Sequence, residues 1–460
     1  LAQTICESAP RLFATLGYIK KEREIAHLLD EEISDKDLPF EIQKSTTPEN
    51  KYALQGKGGK KIKCIAQWTD KVSEKFHRHQ WWMNAPVFKE GVHHDLDNND
   101  MLPIINRTAA TIAGGFSKVY LAEIHSSHHN FSGVKQSDEG KFNVAIKKLT
   151  TNNSEEDFKR ETEFFKTLVS KQHGPHPHLI NLLATYRWKG KYHLILPCAT
   201  ENLETYWRNT KPDYSEETMR WCLNQMAGIV NGLLDIHECT IPNTTEIGRG
   251  SSSSIKLKRG EEKFGRHGDI KAENILWFAS SAASDDPKGT LKIADFGLGR
   301  FHGRDTRSNV DWRQIKSSPT YEPPELKLHK PVSRAYDMWS LGCIFLEFAT
   351  WMLKGQEGNE DFADERGSPD SNPIFKELSN DEFFTVIDTD RTMAVVRDGV
   401  VRWVAHLHQH KNCSAFIHDL LDMIMGHLLV IRPAYRYGAV ELDRKFQSFR
   451  QKAKAPEYLV

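Results

Sequence analysis

The stretch His267-Gly268-Asp269-Ile270-Lys271-Ala272-Glu273-Asn274, succeeded downstream by Lys292-Ile293-Ala294-Asp295-Phe296-Gly297, decides how this chain reads. Asp-Phe-Gly alone says little, because Gly follows aromatic residues in many ordinary turns. The force lies in order. On the N-terminal side stand Ile112-Ala113-Gly114-Gly115-Phe116-Ser117-Lys118-Val119, then Val144-Ala145-Ile146-Lys147, then Glu161 and Glu163. On the C-terminal side stand Ser317-Ser318-Pro319-Thr320-Tyr321-Glu322-Pro323-Pro324-Glu325, Asp337-Met338-Trp339-Ser340-Leu341-Gly342-Cys343 and Arg432-Pro433-Ala434-Tyr435-Arg436-Tyr437-Gly438-Ala439.

In this succession the chain resembles the eukaryotic-type protein kinases of the Ser/Thr kind, with a His-Gly-Asp catalytic loop, over roughly residues 105 to 450. The resemblance implies ATP and Mg2+, with Mn2+ able to substitute, and a protein substrate. Asp269 would accept the proton of the attacking hydroxyl, while Asn274 and Asp295 hold the metal that bridges the nucleotide phosphates. Lys271, two residues after Asp269, marks the Ser/Thr type and would offset charge on the transferring phosphoryl group. Lys147 would contact the α- and β-phosphates and pair with Glu161 rather than Glu163.

Around the nucleotide the same resemblance implies contacts from Ile112, Ala113, Gly114, Gly115, Phe116, Ser117 and Val119, where small residues let backbone amides approach phosphate oxygens. The match there is partial, since Ile112 and Ser117 stand where the family carries glycines. Ala145 and Leu276 would complete the pocket, with Leu196 controlling its back. Pro197, Cys198 and Ala199 form the hinge. Proline offers no N–H, yet the hinge uses only the carbonyl of that position, and the N–H of Ala199 is the donor to the base. In the segment Ser318, Thr320 and Glu325, Ser318 takes the place of a Thr bonded to the catalytic Asp and Lys. Asp337 would brace the catalytic loop from beneath, and Arg436 would pair with Glu325.

The fold class expected is α+β: a bilobal protein-kinase fold with a small antiparallel-sheet N-lobe and a large, mainly helical C-lobe. Short β-rich runs at 112 to 124, 142 to 149 and 192 to 196 support the first. Helical patterns at 216 to 237, 334 to 353 and 415 to 429 support the second. The domain reading is an extension over 1 to 104, a kinase domain over 105 to 450 divided at about residue 200, and a tail over 451 to 460. The extension has helical texture at 19 to 29 and 70 to 79, an exposed Lys/Gly loop at 57 to 63, and Trp68, Trp81 and Trp82, which read as packing it onto the kinase domain. Polar insertions at 126 to 141, 242 to 262 and 355 to 372 read as surface loops.

Across 460 residues, 62 Lys plus Arg balance 62 Asp plus Glu, so net charge points to no polyanionic partner such as nucleic acid. Seven scattered cysteines without a C-x-x-C pair argue against a zinc ribbon or disulfide framework and fit a reducing compartment. An intracellular location, cytoplasmic or nuclear, is expected. The chain starts at Leu1 without a signal segment and reads as a piece of a longer protein. The most apolar run, Trp339 to Leu353, contains Glu347 and is too short to span a bilayer comfortably; it reads as a core helix. Histidines cluster at 93/94, 125/128/129 and 406/408/410 without a carboxylate or Cys at ligand spacing and read as exposed or packing residues.

Two other functions stay open. A pseudokinase acting as a nucleotide-binding scaffold or switch is motivated by Ile112, Ser117 and Gly268, the last standing where an Arg would read a phosphorylated loop. Arg304, Arg307 and Arg313 could replace that reader for Thr306 or Ser308. A small-molecule kinase of the same fold is disfavoured by the substrate-docking look of 318 to 325. The layout is also similar to kinase-domain proteins of filamentous fungi.

Overall fold

A computed structural model describes residues 1–44, 52–108, 112–113, 117–132, 141–150, 154–171, 175–241, 263–280, 286–296, 300–303, 319–367 and 381–460. They fall into two compact units, one of residues 1–152 with 182–196 and one of 153–181 with 197–460.

The first unit holds two cores. In the N-terminal part, helices Pro10–Tyr18, Ile25–Asp30 and Asp70–Met83 enclose Leu12, Leu16, Leu28, Phe40 and Phe76. Here the structure adds to the helical reading a three-stranded sheet, Glu41–Lys44, Tyr52–Gly56 and Lys60–Lys61. The expected loop at 57 to 63 is the tight connection inside this sheet, with Gly58 and Gly59 at φ of 73° and 81°, a region open to glycine. Lys60 is tied down by Asp37 at 3.1 Å. Trp68 is buried in this same N-terminal core beside Phe76, so it packs the extension internally, while Trp82 is exposed.

The second core of this unit lies under a seven-stranded sheet in which His93–Asp95, Ala184–Trp188, Lys191–Pro197, Lys141–Leu149, Ser117–His125 and Ile104–Arg107 are neighbours in that order, with Ile112–Ala113 also paired to Ser117–His125. Ala184–Trp188 is antiparallel to Lys191–Pro197, and Ser117–His125 is antiparallel to both Lys141–Leu149 and Ile104–Arg107. At one edge His93–Asp95 runs parallel to Ala184–Trp188. Phe142, Val144 and Ile146 share the core face, because side chains alternate along a strand. Lys147 therefore takes the opposite face, together with Ala145, whereas Lys148 follows the core row. Part of the insertion at 126 to 141, expected as a surface loop, belongs to this core: Phe131 is buried against His129 and Phe142.

The second unit is mainly helical. Its long helix Glu216–Glu238 starts at Ser215, whose side chain accepts the Thr218 N–H, and has Glu216 and Glu217 in the first turn, where the helix dipole favours acids. Met219, Leu223, Met226, Ile229, Val230, Leu233 and Ile236 are buried at helical spacing. The apolar run after Trp339 is the buried start of Ala335–Gly367, which continues through a kink at Gly355. Over 355 to 367 this corrects the surface-loop reading of 355 to 372, since Phe362 and Arg366 are buried. Two buried side chains one turn apart were hidden by an otherwise polar composition. The insertion at 242 to 262 lies outside the described residues. The chain end, read as a tail, packs Tyr458 and Leu459 inward, with the Tyr458 hydroxyl donating to Asp419 at 2.7 Å. Among the described residues no helix is long and apolar enough to cross a membrane.

Candidate active site

The loop 267–274 connects strand Lys263–Arg266 to strand Ile275–Phe278 and hangs on one buried carboxylate. Asp337, fully buried, accepts the backbone N–H of His267 at 2.9 Å and of Gly268 at 2.8 Å, and the Nε2–H of His237 at 2.8 Å. Burial pushes its carboxyl up, but hydrogen bonding and charge from His237, with His267 and Arg266, outweigh that and hold it below its ordinary value. Gly268 sits at φ 80°, so the loop turns where a side chain would strain it.

His267 in turn holds two segments in place. Its Nδ1 accepts the Asp269 N–H at 3.2 Å, which leaves the proton on Nε2 to donate to the Ala294 carbonyl at 3.0 Å. Ala294, the residue before Asp295, is thereby fixed to the loop that carries Asp269. A second tie is the Ala294 N–H to the Asn274 carbonyl, 2.8 Å. Phe296, fully buried, packs edge-on against His267 and Phe165 with centroids 5.5 Å and 5.0 Å away. Phe165 lies one turn after Glu161 in helix Ser154–Lys171.

Asp269, Lys271 and Asn274 come together on this frame. The Asn274 amide donates to both the Asp269 backbone carbonyl, at 2.9 Å, and its Oδ2, at 2.8 Å. The Lys271 ammonium stands 3.4 Å from the same Oδ2. Asn274 commits its NH2 to Asp269, so Oδ1 is the atom with which it could ligate a cation. Asp295 is exposed at φ 64°, a left-handed conformation that Asp tolerates better than most residues. Oxygen donors of this kind suit a hard divalent cation such as Mg2+ or Mn2+.

Lys147 lies in the sheet unit, 5% exposed, in register with Val119, which is itself in register with Ile112. Glu161 lies in the helical unit, 3% exposed. Leu196 ends the buried part of strand Lys191–Pro197. After residues 197–199, the Thr200 N–H donates to the Trp277 carbonyl at 3.0 Å and Asn202 is in register with Leu276. Gly114, Gly115, Phe116 and Ser318 lie outside the described residues, as do Arg304, Thr306, Arg307, Ser308, Arg313 and Ser317.

The segment after Ser318 is anchored by Asp381, Glu347, Ser340 and Arg366, to which the sequence alone assigns no role there, and by Arg436. Thr320 donates to Asp381 at 2.9 Å, Tyr321 to Glu347 at 2.9 Å, and Ser340 to the Tyr321 carbonyl at 2.9 Å. Arg366, from the supposed loop, donates to Glu347 at 3.2 Å and to the Asp381 carbonyl at 3.0 Å. Glu325 and Arg436 form a two-pronged pair, 2.8 Å on each arm. His237 and Glu347 carry no motif signal of their own; only their partners show what they do.

Burial pushes the Glu347 carboxyl up to about 7, against the opposing pull of Arg366 and Tyr321. An acid raised in the folded state keeps a proton that the unfolded chain releases near pH 4.5, so stability falls as pH rises from there to about 7. Glu347→Gln should flatten this decline, which amounts to on the order of 3 kcal/mol. Denaturant titrations of both proteins between pH 4.5 and 8 would show it, and parallel curves would refute it.

A family model described as the protein kinase domain matches residues 262–437. The chain is 40% identical to cyclin-dependent kinase C-1 of Arabidopsis thaliana over 187 residues, 39% of this chain and 32% of that one. It is 31% identical to cyclin-dependent kinase 11.2 of Caenorhabditis elegans over 202 residues, 42% of this chain and 27% of that one. With serine/threonine-protein kinase 17A of Oryctolagus cuniculus it shares 38% over 78 residues, 17% of each chain. The matched stretches thus span a third or less of these relatives. The fold is that of a protein kinase domain, a small sheet-bearing unit and a larger helical one.

Proposed function

We propose that this chain is an ATP-dependent protein kinase that transfers the γ-phosphoryl group to Ser or Thr hydroxyls of protein substrates inside the cell. The observation that carries the reading is the Asp269 carboxylate held between the Asn274 amide and the Lys271 ammonium, on a loop pinned from beneath by Asp337. A base so placed takes the proton as the substrate oxygen attacks the γ-phosphorus and the bond to the ADP oxygen breaks. Lys271 offsets charge gathering on the transferred group. Asn274 and Asp295 would hold the divalent metal, which when bound neutralises the nucleotide phosphates. Lys147 would position the α- and β-phosphates and pair with Glu161, and Pro197 with Ala199 would receive the adenine.

The scaffold reading draws on Ile112, Ser117 and Gly268. It is weaker because loop glycines govern ground-state positioning, whereas the charged residues Lys147, Glu161, Asp269 and Asp295, with the amide of Asn274, would act on the transition state and are all present.

The test is Mg2+-dependent turnover of ATP with a generic protein substrate, then phosphoamino-acid analysis. The expected product is phosphoserine or phosphothreonine with little phosphotyrosine. Predominant phosphotyrosine would refute the assignment of Lys271 and Ser318. Nucleotide binding without turnover in either Mg2+ or Mn2+ would favour the scaffold.

A further inference from the structure

Far along the chain from the catalytic loop, helix Asp398–His408 ends and helix Ala415–Met423 begins within a few residues. The connection is tightly folded: the His410 N–H reaches the Leu407 carbonyl at 3.0 Å and the Cys413 N–H the His410 carbonyl at 2.8 Å. Ser414 caps the second helix, and Leu407 and Ile417 are fully buried beneath the two helix ends. This geometry returns Cys413 to His408 and sets His418, one turn into the second helix, against both.

The rings of His408 and His418 lie nearly parallel, 18° apart with centroids 5.0 Å distant, and their Nδ1 atoms face each other at 2.7 Å. One ring nitrogen of each and the Cys413 sulfur all lie within 4.8 Å of one another. All three residues are half-buried, so an ion could enter from solvent. The far ring nitrogen of His408 stands 3.6 Å from the Asp422 carboxylate, on the same face of the second helix as His418. A carboxylate behind a histidine fixes the ring and raises its basicity as a ligand.

The simpler alternative is two neutral imidazoles sharing one proton. It leaves Cys413 without a role and Asp422 as chance. Imidazole with thiolate is the donor set that borderline and soft cations prefer, and it is unsuited to Mg2+ or Ca2+. Tetrahedral Zn2+ takes nitrogen at about 2.0–2.1 Å and sulfur at about 2.3 Å, so its ligand atoms stand about 3.4 to 3.6 Å apart. The two nitrogens must part slightly and the sulfur draw in, which rotation about side-chain bonds supplies.

We propose that His408, Cys413 and His418 form a binding site for a transition-metal cation of the Zn2+ class, with Asp422 orienting His408 and water in the fourth position. The ion would clasp the two helices across their short connection. Binding releases the thiol proton, since the thiolate is the ligand. Sequence spacing gives no sign of the site because ligands five residues apart do not share a helix face; the turn between the helices brings them together.

The test uses the full chain, stripped by chelator and titrated with Co2+ as a spectroscopic probe, with Zn2+ as competitor. One equivalent of Co2+ should produce thiolate-to-cobalt absorption that Zn2+ abolishes and that Cys413→Ser lacks. His418→Ala should weaken binding at least about 100-fold, and Asp422→Asn by about 10-fold. Zn2+ should raise the melting temperature of the wild type and leave that of Cys413→Ser unmoved, while the metal-free proteins melt alike. The proposal is overturned by Co2+ uptake without a thiolate band, by a band that survives in Cys413→Ser, or by equal affinity in the wild type and His418→Ala.

Discussion

Replacing Asp269 with Asn should lower phosphoryl transfer by about 10²- to 10⁴-fold, the usual contribution of a positioned general base, while the variant melts with the wild type. The change is isosteric. An Asn oxygen can still accept from the Asn274 amide, and the backbone carbonyl of residue 269 keeps its own bond to that amide. What disappears is the proton acceptor and the negative charge beside Lys271, 3.4 Å away. Because Asp337 grips the backbone of His267 and Gly268, the loop does not depend on the 269 side chain for its shape. The loss should therefore fall on kcat with KM for ATP little changed. A folded variant within a few-fold of wild-type kcat would remove Asp269 from the chemistry.

Arg436→Met should destabilise the protein by about 3–5 kcal/mol, the range for breaking a buried ion pair. Both side chains are fully buried, 0% exposed. Removing the guanidinium strands the Glu325 charge and also takes donors from the carbonyls of Val430, Ile431 and Ala335. The double variant Arg436→Met with Glu325→Met should recover part of the loss, since no charge is then left uncompensated. The carbonyls still lack their donors, so recovery stays incomplete. Equilibrium unfolding in denaturant measures both, and a single-variant cost under about 1 kcal/mol would show that the pair does not support this unit.

How far these features can be read from sequence depends on how local their physics is. The loop 267–274 shows itself as a candidate catalytic segment because Asp269, Lys271 and Asn274 lie close together and each residue type is chemically distinctive. Strand Lys141–Leu149 is legible for the same reason, since Phe142, Val144 and Ile146 are buried at every second position. The sheet of Glu41–Lys44, Tyr52–Gly56 and Lys60–Lys61 is not, because its strands are short and largely polar, and what ties them down is Ile42 and Leu54 packing into the core that holds Phe40 and Phe76. Nor is the role of His267 legible, since one of the two backbone groups that set its tautomer, the Ala294 carbonyl, lies 27 residues away in sequence. The Thr320, Tyr321, Glu347, Arg366 and Asp381 network joins three distant segments, and no periodicity announces it. The His408, Cys413 and His418 cluster is invisible for lack of a spacing rule that crosses a helix-to-helix turn.

The kinked helix Ala335–Gly367 bears on what can be cut from this protein. An engineer seeking a smaller chain would choose the polar stretch after Gly355 for deletion. Arg366 would go with it, and with Arg366 the guanidinium that compensates Glu347, the donor to the Asp381 carbonyl, and the carbonyl that accepts from Arg397. Glu347 would then have to carry a proton or a bare charge beside Tyr321. The stretch is thus not a removable ornament, and any trimmed version must also replace Glu347 with a neutral side chain that still accepts the Tyr321 hydroxyl.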